Sequence, residues 1–168
     1  QDPMFEKVYP GKHVLVSGGS SGIGLAIARA FQDAGAKVTV TGLTEGELAE
    51  ARAAGLAAVA LDVADLAACR RLIASFESLD VLVNCAGITR FVPHADLDAL
   101  DDALIDDIFR VNWRGAFAAV RASSIRPSGI LLWRSATIAP VAGSSTRAIN
   151  CCRIRKHEGT MPEASPEW

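Results

Sequence analysis

The chain has 168 residues, half of them apolar and 21% charged, with a formal net charge of −2. That length holds one domain with a sizeable core, and the composition excludes an intrinsically disordered chain. Charges of both signs are mixed along the sequence, which leaves no electrostatic footprint for nucleic acid or an anionic membrane. The apolar runs stop short of the about 20 residues that span a bilayer. Cys69, Cys85, Cys151 and Cys152 make no C-x-x-C pair, so reduced thiols in a cytoplasm are expected. "QDP" ahead of Met4 reads as an expression remnant, and no signal-peptide pattern follows it.

In chain order, "KHVLVSG" (residues 12–18) predicts a first strand. "GLAIARAFQDAG" (24–35) predicts a helix with Leu25, Ile27, Ala28 and Phe31 on its apolar side and Gly35 at its C-terminal end. "AKVTVTG" (36–42) is a second strand, "TEGELAEARAAG" (44–55) a helix closed by Gly55, and "LAAVALDV" (56–63) a third strand. "DLAACRRLIASFESL" (65–79) is helical, with Asp62 as a candidate N-cap, and "DVLVNCAG" (80–87) is a fourth strand. The stretch 96–122 holds a long helix whose acidic side faces solvent, with Leu97, Leu100, Leu104, Ile105 and Ile108 as its buried stripe. "GILLWRSA" (129–136) reads as a fifth strand. Short strands alternating with helices predict an α/β domain with a doubly wound parallel sheet, Rossmann-like. The strands lack polar alternation, as strands buried on both faces should.

The glycine cluster in "LVSGGSSGIGLA" (15–26) closes the first strand and opens the first helix. Dinucleotide-binding folds place a diphosphate at that junction. Bare backbone approaches phosphate oxygens closely, and the first helical turn presents N–H groups and a partial positive charge. Gly18, Gly22, Ile23 and Gly24 supply that backbone, and Ser20 and Ser21 add hydroxyls. A tight turn with no ligand is the bland alternative. Asn84 and Gly87 read equally well as a plain turn, and Asn112 as an exposed helical residue.

The spacing Gly18-x-x-x-Gly22-x-Gly24 resembles the cofactor loop of the short-chain dehydrogenase/reductase family, T-G-x-x-x-G-x-G, with Ser17 for the threonine. "LDV" (61–63) resembles the family's adenine-contacting Asp-Val at Asp62 and Val63. "NCAG" (84–87) resembles its N-N-A-G at Asn84, Ala86 and Gly87, with Cys85 for the second asparagine. "VNWRGAF" (111–117) places Asn112 where the family keeps an asparagine that supports a proton relay through water. The resemblance implies NAD or NADP as cofactor, an alcohol or carbonyl compound as substrate, and a homo-oligomer paired through the fourth and fifth helices. It covers residues 10–136 of a single domain over 1–168.

At the end of the second strand an acid favours NAD and an arginine NADP. Gly42 and Leu43 stand at those places, so the choice stays open; Glu45 and Glu47 nearby are expected to face water. In the family a serine after the fifth strand orients the substrate oxygen, and Ser135 matches it. A tyrosine, made acidic by a lysine four residues later, should follow by about a dozen positions. Neither is present: the single tyrosine is Tyr9, and "STRAINCCRIRKHEG" (145–159) fills the region. Residues 153–159 can be encoded CGC ATA CGC AAG CAC GAA GGC, which read one base later gives Ala-Tyr-Ala-Ser-Thr-Lys. Residues 147–168 therefore read as an anomalous, frameshifted tail, and the fold as incomplete at its C-terminal end. The alternative function is a catalytically inactive dinucleotide-binding module. His13, His94 and His157 are scattered, no spacing suits a metal, and no G-x-S-x-G elbow is present.

Overall fold

The computed structural model describes residues 9–93, 96–124, 147–150 and 155–156. Strands β1 (His13–Ser17), β2 (Lys37–Gly42), β3 (Ala57–Ala60) and β4 (Val81–Asn84) alternate with helices α1 (Gly22–Asp33), α2 (Ala49–Ala53) and α3 (Leu66–Ser75). The two residues of β5 (Ile88–Thr89) follow. Then α4 (Asp102–Ile108) and α5 (Ala116–Ser124) are joined without a break by wider, π-type turns over Phe109–Gly115. Strands β6 (Arg147–Asn150) and β7 (Arg155–Lys156) complete the described elements. The main sheet is parallel, in the order β3-β2-β1-β4-β6.

Side-chain alternation along the central strands explains why both sheet faces carry helices. Val14 and Val16 of β1, Val38 and Val40 of β2, and Val81 and Val83 of β4 share a face with Leu25 and Ala28 of α1. Leu15 and Leu82 point the other way, into a cluster with Ile73 of α3 and Ala119 and Val120 of α5. In β1 and β4 residues on both faces are apolar, as a parallel sheet covered twice requires, while in β2 Thr39 and Thr41 alternate with the valines.

Three local expectations change, and a fourth falls outside the described residues. β3 is an edge strand, and its Ala57, Val59 and Ala60 are exposed rather than covered on both sides. The strand beside β4 is β6, inside the stretch expected to be anomalous, while residues 129–136 lie outside the described residues. α3 is capped by Asp65, whose carboxylate accepts the Ala67 and Ala68 N–H groups at 3.0 and 2.9 Å, and not by Asp62. The acidic helix does not bury its stripe: Leu100 and Ile105 are exposed, and α4 has no buried residue. Only its continuation into α5 reaches the sheet.

At the end of the sheet where β1 begins, Asp80 ties the first and fourth strands together. Its carboxylate accepts the His13 N–H at 2.9 Å and the Lys12 ammonium at 2.9 Å. Partial burial pushes the Asp80 carboxyl up, but the His13 N–H and the Lys12 charge outweigh it and hold it below the ordinary carboxylate range. A carboxyl whose folded value is depressed stabilises the fold above its unfolded value near 4, and this contribution fades as pH falls through the folded value. Asp80→Asn is expected to cost about 2 kcal/mol in urea unfolding at neutral pH. The difference from wild type should shrink toward zero in acid; a gap that stays constant with pH would refute the ionic account.

Candidate functional site

The strand order reverses between β1 and β4, and open parallel sheets bind ligands outside the carboxyl ends of their strands at such a point. A cleft of about 220 Å³ lies there, lined by residues from the ends of β1, β2 and β4, from the Leu61–Val63 stretch and from the π-turn segment. Of the residues expected from sequence, Gly18, Ser20, Gly42, Asp62, Val63, Ala86 and Gly87 line it.

Its floor is a close approach of two chain segments. Gly18 has φ +66°, and a Cβ there would stand 2.6 Å from the Ala86 nitrogen and 2.8 Å from the Cys85 carbonyl carbon. Any side chain at 18 forces the loop after β4 away from β1. Ser17 stitches the same junction: its hydroxyl donates to Asn84 Oδ1 and accepts the Ala86 N–H, both at 3.5 Å, while its carbonyl accepts the Cys85 N–H at 2.9 Å. On the other side the Gly18 N–H reaches Thr41 Oγ1 at 3.4 Å. Asn84 is buried beneath the floor as a brace rather than lining the cleft.

The glycine loop turns directly into α1. A Cβ at Gly24 would overlap the Gly18 carbonyl oxygen, so the helix starts pressed against the loop. Ser21 is the N-cap, in extended backbone, and its side chain does not cap the helix. The first-turn N–H groups of Gly22, Ile23 and Gly24 have no intrahelical acceptor, as at every helix start. Gly22 and Ile23 are exposed at that mouth, and Gly24 is buried under it.

The opposite wall comes from the π-type turns. Asn112 grips one residue of the loop after β4: its Oδ1 accepts the Ile88 N–H at 2.7 Å and its Nδ2 donates to the Ile88 carbonyl at 2.8 Å. Gly115 lets this segment lie against Val63, where a Cβ would meet Val63 Cγ2 at 2.9 Å. π-type turns are rare and concentrate at functional sites. Here they bring Arg110 and Val111 to the cleft, beside Asp107 at the end of α4. The Arg110 guanidinium pairs with Asp107 at 2.9 Å and stands 3.7 Å from Asp62. Asp62 also accepts the Ala64 N–H at 2.8 Å, closing a local turn.

Beneath Val63, burial first and then the charges of Asp65 and Asp62 push the Cys69 thiol up to about 11, so it stays protonated and inert. Tyr9 packs edge-on against Phe31 with ring centroids 5.0 Å apart and does not line the cleft. Ser135 lies outside the described residues. Among the described residues no group of His, Cys, Asp and Glu side chains is arranged to hold a metal, and no helix is long and apolar enough to cross a membrane. Leu43, singled out from sequence as a cofactor-choice position, lines the cleft too; Thr41, Cys85, Ile88, Asp107, Arg110 and Val111 also line it and were not singled out from sequence for this role. Arg110 and Val111 directly precede Asn112, the one signal that pointed toward them.

The family model described as short chain dehydrogenase matches residues 12–126. The chain belongs to the short-chain dehydrogenase family. The short chain dehydrogenase/reductase dpmpG of Macrophomina phaseolina is 43% identical over 119 residues, covering 64% of this chain and 66% of that protein. The 2,3-dihydro-2,3-dihydroxybenzoate dehydrogenase of Escherichia coli is 42% identical over 113 residues, covering 65% of this chain and 43% of that enzyme. Among solved structures, a gluconate 5-dehydrogenase of Burkholderia cenocepacia in complex with NADP and tartrate superposes with a TM-score of 0.59 at 33% identity. That match covers 71% of this chain and 50% of that one. The chain thus spans 66% and 43% of the length of these two curated relatives. The alternative of an inactive binding module draws no support from relatives named as dehydrogenases and reductases.

Asn112→Leu should remove both Ile88 hydrogen bonds and bury an orphaned peptide. A loss of about 2–4 kcal/mol in chemical unfolding is expected. A loss under about 0.5 kcal/mol would show that the clamp does not hold this wall.

Proposed function

We propose that the protein is an NAD(P)-dependent oxidoreductase whose cleft takes the adenosine end and diphosphate of a nicotinamide dinucleotide. The carrying observation is the Gly18–Ala86 approach beside an uncapped helix mouth: backbone that a single Cβ would obstruct, at the sheet's switch point. The N–H groups of Gly22, Ile23 and Gly24 hold the diphosphate, with Ser20 and Ser21 beside them. Asp62 and Val63 face the adenine, and Gly42, Ala86 and Gly87 keep the walls low enough for the sugars. Asn84 and Asn112 act as positioning residues, through Ser17 and Ile88 respectively.

The bound dinucleotide supplies or accepts a hydride. By family resemblance the other reactant is an alcohol or a carbonyl compound, with Ser135 holding its oxygen. Cytoplasmic location is part of this reading, supported by the free thiols Cys69 and Cys85 in the folded core. So is a homo-oligomer: Phe109, Trp113 and Phe117 leave an exposed aromatic row on the π-turn segment and α5. The last two rings stack at 5.6 Å, and a second copy's equivalent row matches them in chemistry.

Fluorescence titration with NADH and NADPH tests the reading. Saturable binding of at least one is expected. Gly18→Val should weaken it by more than about a hundredfold, because the loop must move to admit the side chain. Change in nicotinamide absorbance with a panel of alcohols and ketones tests turnover. Absence of binding to either dinucleotide would overturn the proposal. For the aromatic row, Trp113→Glu should lower the mass measured by light scattering to that of one chain. An unchanged mass would exclude this face as the contact.

A further inference from the structure

Resting on that cofactor reading, we propose that Arg110 fixes which base the cleft accepts: it donates to N7 of a purine whose 6-amino group Asp62 receives. No motif in the sequence marks Arg110, and it is the one cation among the described residues that line the cleft. Beside the end of β2, the short turn Glu45–Leu48 commits its charges elsewhere. Glu45 pairs with Arg52 at 2.8 Å, and Glu47, half-buried rather than facing water as expected from sequence, accepts the Leu43 N–H at 3.0 Å.

Arg110 and Asp62 belong to opposite walls, and each is held from its own side. Arg110 Nε donates to Asp107 Oδ1 at 3.0 Å, and Nη2 stands 2.9 Å from the same oxygen. On the other wall, Asp62 Oδ1 accepts the Ala64 N–H at 2.8 Å. That leaves Nη1 of Arg110 and Oδ2 of Asp62 opposed at 3.7 Å, beyond hydrogen-bond reach. A donor and an acceptor therefore stand across the cleft with capacity for a ligand. The guanidinium fork, already pinned by Asp107, loses little further freedom when it bonds.

The surface around this pair is apolar. Leu61, Val63 and Val111 line the cleft and pack in one cluster. Apolar walls with a few placed polar groups suit a flat ring with a polar edge. Asp62 calls for a donor on that edge and Arg110 for an acceptor. Adenine presents both, its amine beside N7, whereas a 6-oxopurine presents two acceptors there and sets a carbonyl against the Asp62 carboxylate. Hydrogen bonds to ionised groups are the stronger kind, so the pair discriminates between the two edges.

The test is fluorescence titration of the full 168-residue chain with whichever of NADH and NADPH it binds more tightly, and with two analogues of that dinucleotide. One carries 7-deazaadenine, with carbon in place of N7; the other carries hypoxanthine, with a carbonyl in place of the amine. Wild type should bind the 7-deaza form about fivefold or more weakly, and the hypoxanthine form about tenfold or more weakly. Arg110→Met should weaken the adenine form by about fivefold or more and bring it within about twofold of the 7-deaza form. The wild-type comparison gives the N7 contact even if Arg110→Met folds poorly. Equal binding of the adenine and 7-deaza forms by wild type, or of the adenine and hypoxanthine forms, overturns this inference and leaves the cofactor reading standing. An Arg110→Met that weakens adenine and 7-deaza forms alike overturns the assignment of the N7 contact to Arg110. Failure to bind either NADH or NADPH overturns the cofactor reading and this inference with it.

Discussion

The site depends on one steric fact: the chain leaving β1 and the chain leaving β4 touch backbone to backbone at Gly18 and Ala86. Parallel neighbours in a sheet normally diverge once their ladder ends, because side chains hold the following loops apart. Here glycine at positive φ removes the obstacle, and Ser17 binds the Asn84–Ala86 segment from below. The cleft opens above this contact. It is the part of the surface where backbone, rather than side chains, is presented to a ligand.

A second constraint comes from the helix that crosses the sheet's other face. An α-helix of regular pitch running from α4 through α5 presents one face in steady rotation. The wider turns over Phe109–Gly115 break that rotation. They allow Asn112 to face the loop after β4 while Ala119 and Val120 still reach the core. Phe109, Trp113 and Phe117, four residues apart, lie outside.

Around the cleft, most side-chain charges are tied within short hydrogen-bonded turns. Asp62 closes on Ala64, Asp65 caps α3, Arg110 is held by Asp107, and Glu47 holds Leu43. Charges fixed in this way need little reorganisation when a polar ligand arrives, so they bear on which ligand is favoured more than on the stability of the fold.

The alternation of strands and helices, the valine-rich central strands and the glycine cluster were legible in the sequence because each rests on local spacing. Period two makes a strand, period 3.6 a helix, and clustered glycines a close approach. Four sequence motifs accordingly marked positions at or beneath the cleft. What local spacing cannot carry is which elements become neighbours. That β3 is an edge, that β6 lies against β4, and that the acidic helix leaves Leu100 and Ile105 exposed follow from sheet order and from which surfaces meet. Glu47 shows the same division: its sequence position says only that an acid is near the end of β2. Its carboxylate lies on Leu43 because a turn of the right pitch folds it back, and hydrogen-bond geometry of that kind exists only in three dimensions.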